Sequence, residues 1–504
     1  MYSEARRCFI GLLACQFPSP GRELGGLQGW IETFFLLETT LRPLLDKELD
    51  LASESYRVTE RITALFEVSI RNVASHDEWH STGRKHFFRR VLNFVIRNER
   101  IDFGLPAFPC KSPNTRKVGG SSPDMAEQMA LVTLRTFAMD IQKLYPPGGT
   151  LWVISDGHVF SDCIGVDDDV VAQYDDDLQN LYHTMFPSPE DRKLIRFRGL
   201  TDMFFDNPVM SSFSQNWISE VSLPHPILTT RSSSAETARK LMMAACEIDR
   251  PNLRKLITSQ DPSVLPLYRG QSRFMLDDLA VPSFLTKSTK QKKKIASEVA
   301  AEMIVRNQAY SNLLEMLIPD YVRLSIHAHT NAGPKFGIRL FPKDKVKAID
   351  SIENRHELHS AYEFQLPTPW HNSMIKIEGD SIFYLGKAEI VRSATKSGDY
   401  DGDWVEGPDG GHFALKHTSH TVVEIMSGID MMQTAAGEKK LSVTTEVMEV
   451  EPETDEEAPL TKTTRIQLTQ FLPRWWYQWW YSPIITFQFR FFGRVFHLRT
   501  GLGV

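Results

Sequence analysis

In RLSIHAHTNAGPKFGIRLF, residues 323–341, polar side chains recur at alternate positions. A strand places alternate residues on one face. Val322, Leu324, Ile326 and Ala328 then share an apolar face, while Arg323, Ser325, His327 and His329 share the other. TNAGP reads as a turn. Lys335, Gly337 and Arg339 follow on the polar face of a partner strand, opposite Phe336, Ile338 and Leu340. One hairpin would present two histidines, a lysine and two arginines together. Such a set can move protons and hold anions, because imidazole titrates near neutral pH and guanidinium groups grip carboxylate or phosphate. A solvated face of an antiparallel sheet would read the same way. Two histidines without a nearby carboxylate lack the third ligand of a metal site.

Three more strings carry chemistry. YRGQSRFMLDDL (268–279) places Arg269, Gln271, Ser272 and Arg273 before an apolar helical stretch. Backbone N–H groups at a helix start, with arginines, would grip a phosphate or carboxylate. The alternative is an ordinary helix start paired to Asp277 or Asp278. TPWHNSMIKIEGDSIFYLGKAEIVR (368–392) predicts a hairpin turning at EGDS, which brings His371, Asn372 and Lys387 to nearby strand ends. A structural histidine and an exposed lysine are the alternatives there. LWVISDGHVFSDCIGVDDDVV (151–171) is an apolar strand ending on Asp156 and His158, either a site mouth or a surface turn. Its acidic run at 167–169 reads as the solvated start of the next helix. His76, Asp77 and Glu78 form the one histidine-x-acid string suited to non-haem iron, in a weakly patterned segment. No GxxxxGKS loop, GxGxxG turn or GxSxG elbow occurs.

These strings need elements to position them. Ile62, Leu65, Phe66 and Ile70 give helical spacing within 61–100. LPAFPCKSPN (105–114) is irregular, because its three prolines deny donors. A helix then starts, with Ser122 as N-cap, Pro123 in the first turn, and Asp124 and Glu127 complementing the dipole. TLWVIS is a buried strand. The following helix turns Val170, Val171, Tyr174, Leu178, Leu181 and Tyr182 inward and its acidic residues outward. KLIRFRGL (193–200) is another strand, so helices and strands alternate as in a parallel or mixed α/β sheet. Helices are expected over 232–257 and about 289–317, the second opening on a solvated KQKKK, and strands from 321 to about 392. The acidic, proline-bearing 447–463 reads as a linker or disordered segment. The arginine- and aromatic-rich 474–499 is either a poorly folded extension or a membrane-interface or partner-docking segment. The expected organisation is an N-terminal extension (1–60), a catalytic domain (61–420) and a partly disordered C-terminal extension (421–504).

The 504 residues are 42% hydrophobic and 24% charged, as in globular proteins. A net charge of −6 argues against a general nucleic-acid binder. Five scattered cysteines, without a CxxC pair, point to a reducing compartment, and a cytoplasmic location is expected. RRCFIGLLACQF near the start is too short and interrupted for a signal peptide, and no apolar run is long enough to span a bilayer.

LPAFPCKSPN, VISDGHVFSDCIGV, YRGQSRFMLDDL, RLSIHAHTNAGPKFGIRL and TPWHN…GKAE, in this order, resemble the isocyanide (isonitrile) synthases of the pyoverdine/dityrosine biosynthesis family. The resemblance covers about residues 60–392, and the longer insertions resemble the fungal members. It implies a Rossmann-like mixed α/β sheet flanked by helices, with an antiparallel-rich C-terminal part and no bound nucleotide. It also implies a transferase reaction: the α-amino group of an amino acid becomes an isonitrile, the extra carbon coming from C2 of ribulose 5-phosphate. Tyrosine, tryptophan, leucine and valine are all used in the family, and no metal or organic cofactor is implied. The expected proton-moving residues are Asp156, His158, His327, Lys335 and His371. Lys111, Arg269, Gln271, Ser272, Arg273, His329, Asn372 and Lys387 are expected to hold the substrates. Some fungal members carry a fused oxygenase; this chain shows none after about residue 420, so an oxygenase or tailoring step would fall to a separate enzyme. The alternatives are a condensing enzyme for an amine and a sugar phosphate, or an inactive ligand-binding member.

Overall fold

A computed structural model describes residues 34, 53–74, 76–206, 221–246, 249–262, 264–279, 282–327, 330–353, 367–406, 410–418, 484–491 and 494–501. Its central sheet contains β1 (Ile101–Pro106), β2 (Gly149–Ile154), β3 (Ile195–Arg198), β4 (Val322–Ser325) and β5 (Lys335–Gly337), in the order β3-β2-β1-β4-β5. All neighbouring strands run parallel. A parallel sheet is buried on both faces by its crossover helices. Accordingly Leu151 and Val153 of β2 join one core, while Trp152 and Ile154 pack into another. The first core contains α1 (Glu54–Ser69), α2 (Arg84–Val95), α3 (Met125–Leu144) and α5 (Asp168–Met185). The second contains α4 (Gly157–Ile164), α6 (Leu200–Phe205), α7 (Ser233–Cys246) and the long α10 (Thr289–Leu317).

Local chemistry fixes the helix ends. The α3 cap is Asp124, two residues beyond the expected Ser122: Ala126 N–H donates to Asp124 Oδ1 at 2.8 Å, and Asp124 N–H donates to Glu127 Oε2 at 2.9 Å. This reciprocal box satisfies two donors that the helix itself leaves unpaired. Ser288 and Gln291 form the same box at α10, which runs over the expected residues. The single helix expected over 232–257 is instead α7 and α8 (Arg250–Thr258). Asp249 caps α8 through Asn252 N–H at 3.0 Å, and Pro251 in its first turn cannot extend the α7 ladder. α9 (Leu265–Asp278) completes the helical layer.

The antiparallel hairpin expected over 323–341 is corrected. β4 and β5 are parallel, with Arg323 opposite Lys335. The TNAGP segment does not fold back on itself, because the α1–α2 connection claims its polar groups. Asn331 Nδ2 donates to Asn72 O at 2.7 Å and to Asp77 Oδ1 at 3.0 Å, and Asn331 Oδ1 accepts from Gly337 N–H at 2.7 Å. Asp77 is thereby structural, and it also pairs with Arg71. The alternation itself holds: Val322, Leu324, Ile326, Phe336, Ile338 and Leu340 are all buried.

A second, mixed sheet follows, in the order β6-β8-β7-β10-β9. It contains β6 (Val346–Ala348), β7 (Ser373–Ile377), β8 (Phe383–Gly386), β9 (Tyr400–Val405) and β10 (His412–His417). β7 and β8 are the antiparallel hairpin expected around EGDS, and Gly379 takes the left-handed φ of 89°. α11 (Ala388–Ser397) begins where strands were expected to continue to 392. β11 (Ile484–Phe491) and β12 (Arg494–Gly501) form an antiparallel ribbon within the expected C-terminal extension. The expected linker and residues 474–483 lie outside the described residues, as does most of 1–60. No helix among the described residues is long and apolar enough to cross a membrane.

Candidate active site

With this strand order the winding reverses between β1 and β4, and crevices open outside the carboxyl ends beside such a point. Asp156 stands at the carboxyl end of β2, as the residue before α4. Its Oδ1 is buried without a protein partner. Burial pushes its carboxyl up to about 6. The chain can turn so tightly here because residue 157 is glycine: a Cβ would lie 2.2 Å from Pro109 O. The loop after β1 therefore lies directly over the end of β2.

Three elements bring further groups to this edge. From α5, Asp175 faces Ser155, Asp202 and Asp156, and burial, reinforced by both carboxyls, pushes it up to about 8. From α10, Tyr310 donates its hydroxyl to Ile154 O and Ser155 O at 3.3 Å each. Asp156, Arg323, Asp175 and Arg198 are its charged neighbours. Asp202 caps α6, accepting from Gly199 N–H at 2.6 Å.

His158 points elsewhere. It is buried on α4, and its Nε2 lies 3.2 Å from Asp168 O. Burial lowers its pKa. It fastens α4 to α5, away from the rim role expected for it. Asp168 likewise corrects the reading of 167–169 as solvated. Arg239 of α7 grips Asp168 with two bonds of 2.9 Å, and Ser161 Oγ donates to it at 2.7 Å. Beside it, Arg306 of α10 pairs in two-pronged fashion with Asp162 of α4. Asp162, His225 and Glu236 form the one triplet among the described residues with metal-compatible spacing. Two guanidinium groups already neutralise Asp162, so this cluster fits an ionic anchor better than a metal centre.

On the other side of the switch point, Lys335 of β5 donates to Ser311 Oγ of α10 at 2.8 Å. Burial, and then Arg323 beside it, bring its ammonium down to about 7. His327, just after β4, is pushed down to about 4 by burial and by Lys335. Arg339 leaves this face and donates to Val68 O and Ser69 O at the end of α1, at 3.2 and 3.0 Å. His329 lies outside the described residues.

The loop after β1 carries two buried lysines. Lys111 Nζ donates to Asp124 Oδ2 (2.7 Å), Glu127 Oε2 (2.8 Å) and Pro369 O (3.0 Å). All three of its N–H groups thus have acceptors, which ties the loop to α3 in place of the anion grip expected of it. Lys117, which the sequence reading passed over, donates to Asp278 Oδ1 at 2.8 Å and lies 4.4 Å from the Phe274 ring centre. Ser112 Oγ also donates to Asp278, at 2.7 Å. His371 Nδ1 lies 3.7 Å from Asp278, and burial pushes its imidazole down to about 4. His371 and Lys117 both face Asp278 and hold its carboxyl low against its burial. Lys387 Nζ lies 3.4 Å from Asp277 Oδ2, and Asn372 Nδ2 donates to Thr368 O at 2.9 Å. At the strand ends His371 and Lys387 meet the end of α9 at Asp278 and Asp277, whereas the Asn372 amide turns back to Thr368.

The helix-start grip expected at 268–273 is not there. α9 begins at Leu265, so the N–H groups of 269–273 belong to the helix interior. Arg269 and Arg273 are exposed on its surface. Ser272 Oγ donates back to Tyr268 O at 2.8 Å, whereas Gln271 Oε1 is buried without a partner.

The carboxyl edge thus carries Asp156, Asp175 and His327, each only partly exposed, whereas Lys335 opens β5 at the level of Arg323 and His371 lies before β7 beside Asp278. The Asp156 carboxyl, near 6, and the Lys335 amine, near 7, each change charge close to neutral pH. Asp175 was legible in part: it shares the inward stripe of Val171, Tyr174, Leu178 and Tyr182. An acid on such a stripe is a signal that counting acidic runs conceals.

Residues 91–398 match the family described as pyoverdine/dityrosine biosynthesis protein. The spore wall maturation protein DIT1 of Saccharomyces cerevisiae is 41% identical over 389 residues, spanning 76% of this chain and 71% of that protein. An L-tyrosine isonitrile synthase of Xenorhabdus nematophila is 30% identical over 304 residues, 60% of this chain and 76% of that protein. The crystal structure of the PvcA protein from Pseudomonas aeruginosa superposes with a TM-score of 0.54 at 26% identity, covering 71% of this chain and 99% of that one.

Proposed function

The chain belongs to the pyoverdine/dityrosine biosynthesis family, and from that premise we propose that it is an isocyanide synthase. It would convert the α-amino group of an amino acid to an isonitrile, with ribulose 5-phosphate donating the carbon. The first step joins the amine to the ketone and expels water, which calls for a base at nitrogen and an acid at the departing oxygen. The observation that carries the reading is Asp156: an enclosed carboxyl, one oxygen without a protein partner, titrating near 6 at the carboxyl end of β2. Lys335 and His327 stand beside the switch point as further proton-moving groups. Arg269, Arg273 and Lys387, on the surface of α9 and the neighbouring strand end, suit the approach of anionic substrates. The step requires no metal or organic cofactor.

A second reading has its own support. DIT1, the relative at 41% identity, is named for spore wall maturation and not for isonitrile formation. A condensing enzyme for an amine and a sugar phosphate would use the same groups. The test is to incubate the purified protein with ribulose 5-phosphate and a pool of amino acids, then trap isonitriles with a tetrazine and identify them by mass spectrometry. The leading reading expects a trapped product that falls roughly 100-fold or more in Asp156→Asn. A conjugate without isonitrile character would favour the condensing enzyme, and binding without turnover an inactive family member.

A further inference from the structure

We propose that Arg323 and Lys335 form the floor of an anion subsite, between α10 and the β4–β5 side of the central sheet, that holds the phosphate of the sugar phosphate. The proposal deepens the proposed function and rests on it for the identity of that substrate. Neither Arg323 nor the two α10 residues that meet this pair, Ser311 and Glu315, stands among the expected site residues.

Two ladders bring the groups together. Arg323 of β4 lies directly opposite Lys335 of β5. Opposed residues of neighbouring strands, about 4.8 Å apart, point to the same face. On the helix that covers this face, Ser311 and Glu315 are four residues apart, which puts both side chains on one side of it. Lys335 Nζ donates to Ser311 Oγ at 2.8 Å, and Arg323 Nη1 donates to Glu315 Oε2 at 3.3 Å. Arg323 is 2% exposed, and its Nε is buried with no hydrogen-bond partner among the described residues. Buried donors are normally paired, so this one points to a missing acceptor. Lys335, Ser311 and Glu315 keep partial exposure. Arg323 is therefore the innermost group, and those around it can be reached from solvent.

Charge selects the ligand. Besides Tyr310, the groups that face Arg323 are Glu315 and Arg90, and those that face Lys335 are Arg323 and Glu315. Arg90 Nη2 lies 3.7 Å from Glu315 Oε1, so Arg90, Arg323 and Lys335 share one carboxylate. By contrast, the structural arginines Arg239 and Arg306 each face at least two. With Lys335 protonated, three positive charges against one leave two unmatched. A phosphate monoester carries about 1.5 to 2 negative charges at pH 7 and matches them, whereas a carboxylate matches one. The guanidinium fork also suits phosphate oxygens. Tyr310, the residue before Ser311, faces both Arg323 and Asp156. A phosphate over Arg323 would thus lead the sugar's carbon chain past Tyr310 toward Asp156. Lys335, whose ammonium is low near 7 without an anion, would take up a proton as the dianion arrives.

The test is binding without turnover. Isothermal titration calorimetry of the full-length protein at pH 7 measures inorganic phosphate, ribulose 5-phosphate and, as a carboxylate probe, acetate. The parent should bind both phosphates, and acetate far more weakly. Lys335→Met should weaken phosphate binding roughly tenfold or more. Ser311→Asp should do the same, because it keeps both cations and sets a competing carboxylate beside Lys335. Circular dichroism confirms that the variants are folded. At pH 8 the parent should take up protons on binding phosphate, read from the dependence of the heat on buffer ionisation, and Lys335→Met should not. Phosphate affinity unchanged in folded Lys335→Met and Ser311→Asp overturns the proposal. So does acetate binding as tight as phosphate, which would make this the seat of the amino acid's carboxylate. Isonitrile formed by the parent, with phosphate affinity unchanged in the variants, keeps the reaction and removes the subsite. Phosphate binding weakened in the variants, with no isonitrile formed by the parent, sinks the reaction and leaves the subsite standing.

Discussion

Lys111 and Lys335 are both enclosed lysines, and their neighbours send them in opposite directions. Burial pushes each ammonium down, but Glu127 and Asp124 more than offset this at Lys111 and hold it above the ordinary lysine range. Arg323 adds to the fall at Lys335, which reaches about 7. One is thus a structural cation and the other a proton carrier. Replacing Lys111 with Met would leave two buried carboxylates without their cation. Breaking such a pair costs about 3–5 kcal/mol, and urea unfolding of Lys111→Met should show a loss of that size even where substrate still binds. A loss under about 1 kcal/mol would mean that the loop is held by other contacts.

At the scale of elements, α4 is the piece that aims the site. Its first residue must be glycine to pass under Pro109, and its far side is fixed by Asp162 to Arg306 and, through Ser161, by Asp168 to Arg239. These pairs lie deep between α4, α5, α7 and α10, so the end of β2 has little room to shift. Gly157→Ala forces a methyl against a carbonyl oxygen. Overpacking of this kind costs about 1–3 kcal/mol, visible as a lower melting temperature. Because the displaced residue is Asp156, turnover should fall more steeply than stability does. Parallel losses of the two would argue that Asp156 is not aimed by this turn.

For the molecule as a whole, the site sits where two cores and the second sheet's hairpin meet the same sheet edge, and its acids are kept there at a cost in stability. An acid whose folded pKa is raised makes the folded state progressively less stable as pH rises from the ordinary carboxylate value to the folded one. For Asp156 that window runs from about 4 to about 6. Asp156→Asn carries no such cost. Its stability relative to the parent should therefore be unchanged near pH 4 and higher by roughly 1–3 kcal/mol above pH 6. Urea unfolding of both proteins across this range checks it; a pH-independent difference would place Asp156 in an ordinary solvated setting. Asp162, Asp168 and Asp278 act in the opposite sense. Burial alone would raise them, but their partners (His225, Arg306 and Arg239; Arg239 and Ser161; His371, Lys117 and Ser112) hold them low. They stabilise the fold above about pH 4 and lose that contribution in acid.

The sequence by itself determined an α/β core with a parallel or mixed sheet, the span of α10 and the EGDS hairpin, and it pointed to Asp156, Lys335 and His371 as candidates. Each of these follows from periodicity, a cap or an apolar run ending on a polar residue, and such signals are local in the chain. It did not determine who neutralises whom. Lys111 reads as an anion holder until Asp124 and Glu127 arrive from α3, and His158 reads as rim until Asp168 takes it inward. Arg269 and Arg273 read as a helix start because the true start, Leu265, has no cap residue before it to mark it. The direction of β5 was equally closed to local reading, since an alternating face looks alike in either sense. Asp277 and Lys117 meet only through α9 and the loop after β1, 160 positions apart in the chain. Charges interact through space and through burial, and both are properties of the folded chain, so the protonation of this site was decided by tertiary structure alone.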